Sequence, residues 1–259
     1  MSEIQRPGAL YQQVAAAIRE AILKGEYEPD TLLPSEAQLM ARYGVSRPTV
    51  RNAVAALRAE GLIDVRHGKG SFVRSTSRPG VILGRQVTYT STGEFTTHTG
   101  AAWDQVEDPS VSRARTTAIT GPLLYLEEEE ALFACDRLLA DASTGARALH
   151  RVLIPFAVAE QVPELAEHPD TEPDRIYALL TKAGHTLSWF ETVRARMPLP
   201  DERATLQAPD ATPVLHLTRI THGNDDHPLI LEELRLSADR AEVAYRITAS
   251  KQPNRRTRA

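Results

Sequence analysis

Residues 45–54 read VSRPTVRNAV. Arg47 and Arg51 stand one helical turn apart, with a proline between them and Val50 and Val54 at the same four-residue spacing. In a helix interior such a proline costs about 3 kcal/mol. The cost falls away in the first turn, where backbone N–H groups have no intrahelical partner. Ser46 as N-cap and Pro48 at the second helical position therefore satisfy every residue. That phase turns Val50, Ala53, Val54 and Leu57 onto one arc and leaves Arg47, Pro48, Arg51 and Asn52 on the arc away from it.

Outward from this helix the pattern stays consistent. Upstream, LYQQVAAAIREAILK (10–24) repeats apolar residues at three- and four-residue spacing through Leu10, Val14, Ile18, Ala21 and Ile22, and stops at Gly25. SEAQLMARYG (35–44) opens with Ser35 and Gln38 as a capping box, buries Leu39 and Met40, and ends at Gly44. Downstream, LIDVRHGKGSFV (62–73) alternates, turns at His67-Gly68-Lys69-Gly70 and returns. Two helices, a short turn, a third helix and a two-stranded hairpin make a winged helix-turn-helix over residues 1–74.

Charge follows the same division. Residues 1–78 hold 11 Lys/Arg against 8 Asp/Glu, while the rest of the chain holds 19 against 26. Within 40–74 seven basic residues face two acidic ones, a local patch suited to a polyanion. The N-terminus of the third helix offers free amides and partial positive charge to phosphate oxygens. Arg47 and Arg51 can reach guanine edges or flanking phosphates of a major groove. The wing glycines let its backbone approach a duplex closely, with His67 and Lys69 at the tip. The expected partner is double-stranded DNA.

STSRPG (75–80) breaks the pattern, and a linker is expected over 75–84. Residues 85–250 hold long β-like segments with few intervening helical patterns, notably 174–184 and 200–208. They predict a second domain with a mainly antiparallel sheet, and the chain as a whole a two-domain α+β protein. The tail KQPNRRTRA (251–259) is basic and expected to be disordered.

The stretch from Leu33 to Val73 resembles the GntR family of bacterial transcription regulators, over residues 8–74. The resemblance implies operator contacts from Ser46, Arg47, Thr49, Arg51, His67 and Gly68. Our residue reading adds Ser35, Pro48, Lys69 and Gly70. One departure is Ala37, where the family usually carries arginine. Residues 85–250 are similar to the UTRA effector domain of the HutC-type branch, a chorismate-lyase-like fold, through CDRLLADASTGARALHRVLIPF, IYALLTKAGHTLSWFETVRARM and PVLHLTRITHGNDDHPLILEE. The resemblance implies a homodimer and a small-molecule effector, with Arg137, His150, Glu191 and Tyr245 as its expected contacts. Relatives that bind sugar phosphates tend to show Arg-x-Arg where this chain has Arg137 and Leu139, and glutamates where it has His150 and Ile230. These losses argue against a phosphorylated sugar and for a more apolar pocket.

Other classes find little support. No run of about 18 apolar residues suggests a membrane span. MSEIQRPGAL has no secretory h-region, and the single cysteine, Cys135, cannot form an internal disulfide; a cytoplasmic location is expected. No cofactor or metal is expected. His222 and His227 flank a turn, Glu127 to Glu130 are solvated acids, and Gly68-Lys69-Gly70 lacks the spacing of a P-loop. No nucleophile elbow is present, so an enzyme is not expected. Two alternatives remain open: a ligand-independent repressor, for example of plasmid functions, whose second domain only dimerises, and a lyase-like catalytic second domain.

Overall fold

A computed structural model describes residues 9–66, 68–75, 80–97 and 102–245. The N-terminal region has α1 (Leu10–Leu23), α2 (Glu36–Tyr43), α3 (Arg47–Ala59), β1 (Ile63–Arg66) and β2 (Gly70–Val73). Its core is built from one face of each helix, through Val14, Ile18, Leu39, Val50, Ala53 and Leu57, closed by Ile63 and Val73 of the hairpin. Burying each large aliphatic side chain contributes about 1.5–3 kcal/mol, which is what sets the three helices against one another. Leu10 departs from the expected pattern: as the first helical residue it lies beyond the edge of this core and is exposed.

The second region begins earlier than its sequence suggests. β3 (Val81–Gly84) pairs in parallel with β13 (Ala241–Ala244). Val81 and Leu83 are buried against Ala148, Leu217 and Leu236. The last four residues of the expected 75–84 linker are thus a strand of the second domain, held by apolar burial that its PGVIL context hides. The expected tail, 251–259, lies outside the described residues, as does His67 of the wing.

Between these ends run β4 (Val87–Tyr89), β5 (Phe95–Thr97), β6 (Asp104–Gln105), β7 (Ser110–Arg115), α4 (Thr120–Leu123), β8 (Ala131–Asp141), β9 (Ala146–Pro155), α5 (Phe156–Gln161), α6 (Pro163–Glu167), α7 (Pro173–Lys182), β10 (Ser188–Arg196), α8 (Pro200–Thr205), β11 (Val214–His222) and β12 (Pro228–Ser237). The main sheet runs β10-β11-β12-β9-β8, with β6 and β7 both on the outer edge of β8. All its pairings are antiparallel. One face carries α5, α6 and α7 through Val152, Ile154, Ile176, Tyr177 and Leu180. The other carries Leu153, Ile220 and Leu231 under the segment around Leu124. No helix among the described residues is long and apolar enough to cross a membrane.

Candidate nucleic-acid interface and ligand cavity

The local chemistry of α3 sets its exposed face. Ser46 Oγ accepts from the Thr49 amide at 3.4 Å and lies 2.8 Å from the Thr49 hydroxyl. Arg47 is the first helical residue, so Pro48 falls in the first turn, where its missing N–H costs no ladder bond. At the end of α2, Gly44 adopts φ 63°, and its amide donates to the Met40 carbonyl at 2.9 Å. A side chain there would strain the backbone, so the turn between α2 and α3 depends on this glycine. Ser35 caps α2 by exchanging bonds with Gln38.

Arg47, Pro48, Arg51 and Asn52 are exposed, and Val50, Ala53 and Leu57 are fully buried. Arg47 Nε sits 3.6 Å from Glu36 of α2, a solvent-exposed pair of little strength. Thr49 is half-buried beside the cap. On the wing, Gly68 and Gly70 take φ 71° and 104°, and Lys69 between them is exposed. Arg66 stacks on the Phe72 ring at 4.3 Å, which firms the hairpin behind its tip. The described candidate residues of this region are therefore either on the outer surface or are the caps that position it.

The second site is a cavity of about 240 Å³ between the main sheet, the 87–97 hairpin and the start of α7. Thr97 N donates to Asp174 at 3.1 Å, fastening the hairpin to α7. Leu139, Leu234, Trp103 and Pro173 supply apolar wall, and Arg85, Arg219, Glu172, Glu232 and His150 supply charge or polarity. Sheet register explains the charges. Glu232 of β12 lies opposite Arg219 of β11, which lies opposite Glu191 of β10, so three charged residues cross one sheet face in a row. Arg219 donates to Glu191 at 2.8 Å, and Arg85 donates three bonds to the same carboxylate, the shortest at 2.7 Å. Tyr245 adds a third donor at 3.0 Å.

Burial pushes the Glu191 carboxyl up, but Arg85, Arg219 and the Tyr245 hydroxyl outweigh it and hold it below its ordinary value. Burial and the neighbouring Glu191 charge push the Tyr245 phenol up to about 12. Glu232 is opposed by burial too, yet His150, Arg219 and Tyr177 keep it ionised, with the Tyr177 hydroxyl donating directly to it. His150 Nε2 is 3.7 Å from the other Glu232 oxygen.

The four residues expected to meet a ligand are thus placed differently. His150 lines the cavity. Arg137 is buried behind the wall, donating to the carbonyls of Asp170 and Thr171 at 2.6 and 3.0 Å and standing 3.2 Å from Glu172. Glu191 and Tyr245 lie one layer out, fixing Arg85 and Arg219. Ile230 is buried in the helix-covered core, and the cavity-facing carboxylate of that strand is Glu232, two residues on. Arg219, Glu232, Glu172, Arg85 and Trp103 were missed in the sequence. The readable signal was a charged residue at a period-two position otherwise uncharged: Glu232 between Ile230 and Leu234, and Arg219 between Leu217 and Thr221. Among the described residues no three His, Cys, Asp or Glu side chains gather as a metal group.

A capped, basic third helix with a glycine wing, joined to an antiparallel sheet that encloses a charged cavity, defines a DNA-binding module fused to a ligand-pocket domain. Residues 10–73 match the family described as bacterial regulatory proteins, gntR family, and residues 148–242 match the UTRA domain. The chain therefore carries a gntR-family DNA-binding domain and a UTRA domain. It is 38% identical over 87 residues to an uncharacterised HTH-type transcriptional regulator of Rhizobium meliloti, covering 34% of this chain and 36% of that one. It is 42% identical over 67 residues to the histidine utilization repressor of Klebsiella aerogenes, covering 26% and 28%. The chain therefore spans about a third or less of the curated relatives it matches. A solved GntR-family regulator shares the fold across both domains, with TM-score 0.69, 24% identity, and coverage of 94% of this chain and 99% of that one.

Proposed function

We propose that this chain is a transcriptional repressor that binds operator DNA through α3 and its wing and is released by a small molecule held in the UTRA cavity. The observation that carries it is the exposed Arg47–Arg51 stripe on a capped helix, in the same chain as a cavity lined by ordered charges. Ser35, Ser46, Pro48 and Thr49 set the helix start and its approach, Arg47 and Arg51 face the groove, and His67, Gly68, Lys69 and Gly70 meet the backbone. Curated relatives of the DNA-binding region include a mannosyl-D-glycerate transport/metabolism system repressor and a histidine utilization repressor, which supports the sign of regulation. A homodimer would place two such helices on a pseudo-palindrome, in the cytoplasm where the DNA lies. The chain acts by binding, without catalysis.

The cavity favours an effector that is neutral or zwitterionic. Two carboxylates, Glu172 and Glu232, face it, and its arginines Arg85 and Arg219 are already tied to Glu191. A phosphorylated ligand would bring two charges against those carboxylates with no free cation to offset them among the lining residues described. The deciding experiment is footprinting of the full chain on DNA flanking its own coding sequence, followed by a metabolite screen for release. A protected palindrome lost on adding an uncharged or zwitterionic metabolite is expected. No protection at low salt would overturn the DNA reading, and release by sugar phosphates alone would overturn the effector class.

A further inference from the structure

The loop between α8 and β11 touches the DNA-binding region through an ion pair and further hydrogen bonds. Asp210 accepts from Arg58 Nε at 3.0 Å and from a second guanidinium nitrogen of the same residue. Its other oxygen accepts from Arg203 of α8 at 2.6 Å. Arg74, just after β2, donates to the Asp210 carbonyl at 3.1 Å and to the Thr212 hydroxyl at 2.5 Å. Two arginines of the winged domain therefore grip one turn of the UTRA domain. That turn holds a non-glycine residue, Ala211, at φ 54°, and Gln207 just before it at φ 51°. Such backbone is uncommon and persists where surrounding contacts over-determine it.

The position of Arg58 gives the contact its meaning. Residues four and eleven along a helix return to within about 40° and 20° of the starting direction, so Arg47, Arg51 and Arg58 form one cationic stripe. Asp210 and Ala211 join Arg51, Val54, Ala55 and Arg58 in lining a single groove on the flank of α3. A carboxylate thus occupies the stripe where a duplex would bring a phosphate. The Arg58 guanidinium beside it holds the Asp210 carboxyl below its ordinary value, so the loop is anionic at neutral pH.

We propose that Asp210 is an internal competitor of DNA: the 206–213 loop docks on the reading helix as a phosphate stand-in, and operator binding must displace it. The anchoring supports a built device, because α8 is itself fixed by Glu202, which accepts from Arg196 and Arg235 on the side of β10 and β12 away from the cavity. The inference rests on reading α3 as the DNA-contacting helix. Its size follows from population arithmetic: if the docked form is held in about nine molecules of ten, releasing it strengthens apparent affinity about tenfold.

The test is Asp210→Asn in the full chain, with Asp201→Asn, an exposed change of equal charge on α8, as the control. Affinity is measured for a duplex recovered by in-vitro selection on the wild-type chain. Domain separation is read from nitroxides on Lys24→Cys and Glu160→Cys, exposed positions just after α1 and on α5, the native Cys135 being buried. The expected result is about tenfold tighter binding by Asp210→Asn, no change for Asp201→Asn, and a narrow distance distribution in the free wild type that broadens in Asp210→Asn and on DNA. Equal or weaker binding by Asp210→Asn would overturn the proposal, since the loop would then support the reading pose. A docked free state in a chain that selects no duplex would instead overturn the DNA reading and leave the loop contact as structural.

Discussion

The winged domain and the UTRA cavity are built from the same kinds of charged residue, yet they arrange them by opposite rules. In the winged domain each functional residue is placed by its immediate neighbours: Ser46 caps, Pro48 starts and Gly44 turns, and Arg47 and Arg51 follow from helical phase. In the cavity, the row Glu232–Arg219–Glu191 comes from three strands brought into register, and Arg85 reaches it from beyond the linker. Local placement leaves cations exposed and nearly unpartnered, ready for a polyanion. Long-range placement buries charges in a mutually satisfied network, where each one depends on the others.

That contrast is broken most sharply at Arg219. Its guanidinium is almost fully buried and touches Glu191 and the Arg85 carbonyl. Arg219→Ala leaves carboxylates buried without their partner, and the expected loss is about 3–5 kcal/mol of stability. Thermal denaturation of full chain and variant measures it. A loss under about 1 kcal/mol would mean the row is solvated and the cavity open.

Glu202 sharpens the same side of the comparison through pH. Arg196 first, with the Leu199 amide and Arg235 behind it, outweighs burial and holds the carboxyl at about 2. A folded-state value below the unfolded one means stability is fully present above the unfolded carboxylate range and is lost as pH falls toward the folded value. From about pH 4.5 down to about pH 2 this one group should withdraw roughly 3 kcal/mol. Urea midpoints across that window should flatten in Glu202→Gln relative to wild type. Parallel curves would show that Glu202 carries no linkage.

These two cases also explain what was legible in the sequence. The three helices, both caps, the hairpin and the outward arginines could be read because each is a statement about residues within four or five positions. The strands of the second domain could be read as strands, but pairing partners are set by tertiary burial. The β3–β13 pairing joins residues near either end of that domain, and PGVIL after a polar stretch reads as linker until Val81 and Leu83 find their core. Glu191 and Tyr245, expected as ligand contacts, sit behind the residues that face the cavity, a distinction only cross-strand register supplies. Glu232 was passed over because a carboxylate among Ile, Leu and Leu looks like a solvent-facing position until the strand is known to be covered on both faces.

On the winged side the expected effects are smaller for stability and specific for binding. Arg51→Ala should cost about 1–3 kcal/mol of operator affinity and loosen base preference, with the melting temperature unchanged. Titration against selected and scrambled duplexes separates the two readouts. Full affinity with intact preference would remove α3 as the reader. Gly44→Ala should cost about 1 kcal/mol of fold stability, because φ 63° is held without a Cβ in the parent. It should weaken DNA binding only as far as it loosens the turn that aims α3.

The smallest effect is the most diagnostic of what the wing does. Lys69 is exposed at the tip between two glycines in left-handed backbone, its amide donating to the Arg66 carbonyl at 2.9 Å while its side chain stands in solvent. A lysine so placed carries charge but no fixed geometry, so it can follow a phosphate and cannot discriminate bases. Lys69→Ala should therefore weaken selected and scrambled duplexes by the same factor. It should also reduce the slope of log affinity against log salt by about one. A specificity change without a change in slope would place the wing in a groove, reading base edges, and would make the division between a reading helix and a positioning hairpin untenable.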